Sequence, residues 1–213
     1  DSPHVVRLEG SRELIEPEGI IPHALTQKQA IQSLVKWVKQ NKIKPERKVD
    51  IPRGAYFPLW TFDLGGAIRY SGDMIETDDD PFGKRQRRVV RMNDEYPVLV
   101  NDWPIPASQK IADRLARLLP AFDLSAIKPY DPRFLANWPA EVYDITMSNA
   151  SLEARSQVFA QYRERLPSEQ LSQLTNISLS SAGMAIESFK LVLLPVWMTE
   201  IPHGGKTLPL LIN

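Results

Sequence analysis

The sequence predicts an α+β fold: two related helix-supported antiparallel strand–turn–strand units share one core and are joined by a long Pro-rich connection. Three observations carry this. Seven β-branched or aromatic runs are separated by Gly or Asn-Asp punctuation, as strands are. Three other segments read as helices, the first of them with the i, i+3, i+4, i+7 apolar stripe of a half-buried helix. Finally, the order Pro-x-Trp, Gly-Gly, Pro-x-Leu-x-Asn occurs twice, at Pro58–Trp60, Gly65-Gly66 and Pro97–Asn101, and again at Pro195–Trp197, Gly204-Gly205 and Pro209–Asn213. Ordered internal matches of this kind mark repeated supersecondary units.

The first helix is predicted from Thr26-Gln-Lys-Gln29, a capping box in which Thr caps the backbone and Gln reaches back to it. Ile31, Leu34, Val35 and Val38 form its expected apolar stripe, and Pro45 closes the region. A second helix is expected from Ser108 to Leu119, with Ile111, Leu115 and Leu118 inward. A third spans about 150–166 and would bury Leu152, Phe159 and Tyr162. The predicted strands are Ala55–Asp63, Ala67–Tyr70, Gln86–Met92, Val98–Asn101, Leu174–Leu179, Phe189–Ile201 and Leu208–Asn213. Pro58 and Pro195 lack the N–H that a ladder uses, so each predicts an edge position or a bulge just before its Trp. Residues 120–139 combine Pro120, Pro129, Pro132 and Pro139 with Phe122, Tyr130, Phe134 and Trp138, which predicts an ordered connection wrapped on the core.

The expected division is a first unit over residues 1–103, carrying a charged hairpin insertion at 72–95, and a second over 104–213. The two can also form one continuous domain. A chain of 213 residues buries about 70% of its unfolded surface and needs no staple. It contains no Cys, which excludes disulfides and thiolate metal ligands. Its 26 basic and 26 acidic residues cancel, whereas a dedicated nucleic-acid binder carries a basic excess. The longest apolar run, Leu191 to Met198, is too short to span a bilayer. The start at Asp1 and the stop at Asn213 inside an apolar run predict that both ends are cuts in a longer protein.

Few residues offer chemistry. His4, His23 and His203 have no partner at helical spacing, so no transition-metal shell is expected and no cofactor is predicted in this segment. Asp78-Asp79-Asp80 lacks the alternation and closing Glu of a calcium loop and reads as a solvated tip. Lys84, Arg85, Arg87, Arg88 and Arg91 follow it across a presumed turn. Cross-strand neutralisation within one hairpin is the plain reading of that segment. The functional reading is a projecting contact arm built from Asp78, Asp79, Asp80, Lys84, Arg85, Arg87, Arg88 and Arg91. Asp131, Glu141 and Asp144, beside Tyr143, offer carboxylates for acid–base work, although a structural network is the simpler account.

Ile21-Pro22, the run Tyr56–Phe62, Pro129-Tyr-Asp-Pro132, Phe134-Leu-Ala136, Ala140-Glu141-x-Tyr143 and Leu193-Leu-Pro-Val-Trp197 occur in this order. Together they resemble an uncharacterised family of bacterial proteins with an N-terminal zinc ribbon and C-terminal membrane-spanning segments. The resemblance runs from about Ile20 onward and rests on packing and turn motifs, so it brings no catalytic residue. It implies a central domain between a ribbon and a membrane anchor. The chain lacks the ribbon cysteines and the Gly and Thr-Gly continuation after the last Asn. The expected function is therefore a non-enzymatic interaction or scaffold domain, membrane-associated through flanking segments, facing the cytoplasm and binding a protein partner. The alternatives are a hydrolase using carboxylates of 131–144 and a nucleic-acid-associated protein.

Overall fold

Thr26 begins the first helix as its capping box requires. Its hydroxyl accepts from Gln29 N at 3.3 Å, and Gln29 Oε1 accepts from Thr26 N at 2.8 Å. The helix, α1 (Gln27–Gln40), buries Ala30 and Leu34. Val35, expected inward, is exposed. The third helix, α3 (Met147–Arg163), starts at its Thr146 cap, earlier than predicted, and buries Ala150, Ala154 and Val158. Leu152, assigned to its core face, is 68% exposed. In both helices the buried seam is an i, i+4 row begun by alanine. A small side chain lets the helix axis settle close to a sheet, and large apolar positions mislead on that point. The short α2 (Ala112–Leu118) continues a 3-10 turn at Gln109–Ile111 and buries Ile111 and Leu115.

The computed structural model describes residues 14–79, 85–136, 138–166 and 171–213, with backbone only at 78 and 79. Its strands are β1 (Gly19–Ile20), β2 (Arg53–Asp79), β3 (Arg85–Pro106), β4 (Lys128–Pro129), β5 (Leu174–Ser180), β6 (Met184–His203) and β7 (Lys206–Ile212). One mostly antiparallel sheet has the order β3-β2-β6-β1-β4, with β7 also on β6 and β5 beside the outer part of β2. The pairs predicted as Ala55–Asp63 with Ala67–Tyr70, and as Gln86–Met92 with Val98–Asn101, are thus single long strands.

Gly65-Gly66 is not a turn. It lies inside β2, opposite Leu99 and Val98. A Cβ on Gly66 would stand 2.1 Å from the Gly183 carbonyl, and Gly66 has φ +108°, so these glycines serve a close approach of chains. Gly204-Gly205, by contrast, does join β6 to β7, with φ of 61° and 70°.

Pro58 and Pro195 are also corrected: both lie in central strands, without a bulge. Pro58 faces Leu193 and Pro195 faces Tyr56. Tyr56 bonds outward to Pro139 and Glu141, and Pro58 O accepts from Ala107 N. Residues 56 and 58 point the same way along the strand, so the missing N–H of Pro58 falls where the outer neighbour changes. Pro195 is placed likewise between β1, which meets Val192 and Leu193, and β7, which starts pairing at Trp197. The ladders to β3 and β6 both shift register at Asp63, and the ladder to β5 shifts between Ser71 and Asp73.

The sheet is covered on both faces. Trp60, Phe62, Leu64, Ile68 and Val98 pack under α3, while Trp197, Ile201 and Ile212 pack under α1. On the other face Phe57, Leu59, Leu194 and Val196 lie beneath Ile111, Leu115 and residues of the Pro-rich connection such as Phe122. Tyr130, Phe134 and Trp138 of that connection pack on Ile20, Tyr56 and Leu193.

Several contacts occur twice. Trp60 Nε1 donates to Ile145 O at 2.8 Å, and Trp197 Nε1 donates to Leu25 O at 3.2 Å. Each acceptor immediately precedes the Thr that caps a helix. Ile20 pairs parallel with Leu193, and Ala140 bridges parallel to Tyr56. Ile21 N donates to Leu193 O and Glu141 N to Tyr56 O, at 3.0 and 2.9 Å. His23 meets Trp197 edge-on at 5.5 Å, as Tyr143 meets Trp60 at 5.2 Å. The closing strands differ: Pro97 faces Ala67, but Pro209 faces Glu200.

Candidate functional site

The charged insertion continues β2 and β3 as a ladder from Gly72–Met92 to Asp79–Arg85. Alternation places Asp73, Ile75 and Thr77 on one face with Arg91, Val89 and Arg87 across from them. Arg91 binds Asp73 at 3.0 Å and Arg88 approaches Glu76 at 3.5 Å, while nearer the core Arg69 binds Glu95 at 2.8 Å. All three are direct cross-strand partners. Asp73 is held below the usual carboxylate range by hydrogen bonds from Asn176 and Arg91. Of the remaining arm residues, Arg85 and Arg87 are exposed on β3. Asp78 and Asp79 are placed by backbone alone, and Asp80 and Lys84 lie outside the described residues. The arm is not wholly free, because β5 buttresses β2 from Arg69 to Met74. Beyond it Ile75 and Val89 face one another, 55% and 66% exposed.

The carboxylates of 131–144 have separate engagements. Asp131 is clasped by Arg133 at 2.5–3.0 Å, and Asp144 accepts from Gln109 N at 2.7 Å. Glu141 lines a cleft instead. No hydrogen bond joins the three.

That cleft, of about 380 Å³, opens on the α2 face of the sheet. Its floor is Phe57, Ile111, Met198 and Leu211, with Arg53, Lys110, Arg114 and Glu200 around it beside Asp50 and Glu141. Lys110 and Arg114 share one side of the α2 segment because they are four residues apart. Apolar ground with a few converging charges is the usual form of a small-ligand site. None of the side chains of Arg53, Lys110, Arg114 and Glu200 forms an ion pair or hydrogen bond among the described residues. Sequence reasoning missed them, since they are spread over two strands, a 3-10 turn and a helix.

A second polar cluster surrounds the register shift. Asp63 accepts from Ser188 Oγ at 2.5 Å and from Asp102 N at 2.8 Å, and Lys190 Nζ reaches Asp102 Oδ1 at 3.4 Å. The Ser188 hydroxyl foremost, then the Asp102 amide, hold Asp63 below the ordinary carboxylate range. Asp102 has φ +52°, a left-handed backbone that Asp tolerates.

His23 is stacked on Trp138 at 4.1 Å and meets Tyr56 edge-on at 5.0 Å. Its Nε2 is buried without a hydrogen-bond partner, and burial lowers its pKa to about 4. His203 Nδ1 lies 3.0 Å from Lys44 O, and His4 lies outside the described residues. Among the described residues no three His, Asp or Glu side chains group to hold a metal, and no helix is long and apolar enough to cross a membrane.

No family model matches this chain, and no solved structure matches it. It is similar to the uncharacterized protein YdjG of Bacillus subtilis (strain 168), with 25% identity over 208 residues. The match covers 89% of this chain but 58% of YdjG, so the chain spans less than two thirds of that relative.

Proposed function

We propose that this chain is a non-enzymatic interaction domain, held at a membrane by flanking segments of a longer protein and facing the cytoplasm. The observation that carries the reading is the ribbon beyond β5. Among its described residues Arg88 is paired with Glu76, yet it presents Ile75 and Val89 to solvent as a cross-strand pair. Exposed apolar side chains on an otherwise solvated arm favour burial against a protein surface. Arg88 and Arg91, already answered by Glu76 and Asp73, favour a protein partner over a nucleic acid. The membrane tether rests on the family resemblance.

The domain is built from two related units. The matched Trp-to-cap hydrogen bonds, the matched parallel pairings and the His23–Tyr143 correspondence support this reading, on which the unequal closing strands are a later divergence.

The test is a double variant, Ile75→Ser with Val89→Ser, in the full-length protein in its native membrane. Cross-linking from a probe placed at Arg87 should yield one dominant partner, and the variant should lose it while its thermal midpoint is unchanged. Equal partner recovery from the folded variant would overturn the reading.

A further inference from the structure

The two polar sites on the α2 face occupy corresponding positions if the two units are matched through their tryptophans, a step that rests on the correspondence proposed above. Asp63 lies three residues after Trp60, and Glu200 lies three after Trp197. Lys190 precedes Trp197 by seven residues, and Arg53 precedes Trp60 by seven. An acid and a base therefore recur together: Asp63 with Lys190 in one place, Glu200 with Arg53 in the other.

Their surroundings differ in one informative way. At the first place Asp102 answers both charges. Its backbone N–H donates to Asp63 at 2.8 Å, and its carboxylate receives Lys190 at 3.4 Å. At the second place the residue facing Glu200 is Pro209, which has neither an N–H nor a charge. Ser188, which donates to Asp63, corresponds by the same spacing to Ile51. Glu200 and Arg53 thus stand around the cleft with no ion pair or hydrogen bond among the described residues; Lys110 and Arg114 add positive charge, and Asp50 and Glu141 add negative charge.

We propose that the cleft binds an α-amino carboxylate with an apolar side chain, the group that Asp102 imitates internally. Its carboxylate meets Arg53, assisted by Lys110 and Arg114. Its N–H donates to Glu200, and its side chain lies on Phe57, Met198 and Leu211. Charge-assisted hydrogen bonds of this type are the strong ones, and a carboxylate is matched by the planar fork of Arg. The free C-terminus of a peptide and a free amino acid share this chemistry.

The test is titration of the isotopically labelled protein with N-acetyl-leucine, free leucine and N-acetyl-leucinamide, followed by amide shifts at Arg53, Met198, Glu200 and Leu211. Saturable shifts are expected with one or both carboxylates and not with the amide. N-acetyl-leucine alone would identify a peptide terminus, and leucine alone a free amino acid. Arg53→Gln and Glu200→Gln, at exposed positions, should each weaken binding about tenfold, the size expected for a lost charged hydrogen bond. Lys110→Gln should weaken it less. The proposal is overturned if neither carboxylate binds, if the amide binds as well, or if both variants bind normally with unchanged thermal midpoints. Failure of the unit correspondence would show elsewhere, as different solvent protection of the Trp60 and Trp197 indole protons. Failure of the ligand alone would leave those protons equally protected.

Discussion

His23 and Tyr143 occupy matching places beside Trp197 and Trp60, yet only the tyrosine has a polar partner, accepting from Ile15 N at 3.0 Å. Burial holds the His23 pKa near 4, against 6.5 for the free group. The unfolded chain therefore takes up this proton first. Stability from neutral His23 is complete above about pH 6.5 and is lost as the pH falls toward 4, when folding must either bury a charge or expel it. The ring is partly exposed, so solvent screening reduces the loss to about 1–2 kcal/mol. Urea midpoints measured between pH 7 and 4 should fall in the native protein and stay nearly level in His23→Tyr. The depressed carboxylates Asp63, Asp73 and Asp131 act below that window, since they hold their charge past the ordinary value of 3.8. At this scale the sequence is informative about caps and uninformative about seams. Thr26 is legible because capping is local chemistry. Ala150 and Ala154 are illegible because their role depends on how near the sheet comes.

Among the elements, the arm divides at β5. From Gly72 to Met74 its first strand is paired on both sides, and a Cβ at Gly72 would lie 2.8 Å from Leu174. From Ile75 outward it is a two-stranded ribbon. Replacing 75–89 by a Gly-Gly turn should change stability little, because loop closure varies by only about 0.6 kcal/mol per doubling of length. Cutting back to residues 72–92 should remove the Asn176–Asp73 and Thr175–Asp73 bonds and lower the denaturation midpoint. Denaturant melts of the two deletions distinguish these outcomes, and equal loss from both would show the tip to be part of the core. The hairpin was legible from the acidic run followed by the basic run, which the ladder sets across from each other. Its continuity with the core was not, because Gly65-Gly66 looks locally like a turn and is kept extended by the crossing at Gly183.

For the whole molecule, the two tryptophans that bond to residues before helix caps were visible in the sequence as two Pro-x-Trp runs. The candidate cleft was not, because it is made by residues far apart in the chain. The central pair of strands is antiparallel, and each helix covers the hairpin it does not precede. Helix α1 lies on Trp197, Ile201 and Ile212, while α3 lies on Trp60, Leu64 and Val98. On the proposed two-unit reading the halves are exchanged, as in a domain-swapped dimer whose chains have been fused. Residues 1–103 made alone would leave Trp60 bare and α1 without a floor, and residues 104–213 would suffer the reciprocal loss. Each fragment should be unfolded by circular dichroism, and mixing them should restore the native spectrum with second-order kinetics. A fragment that folds by itself would show that the exchange is not obligatory. In a ribosome-bound chain the same interlock means that the first half must wait, its aromatic face uncovered, until the second half has emerged.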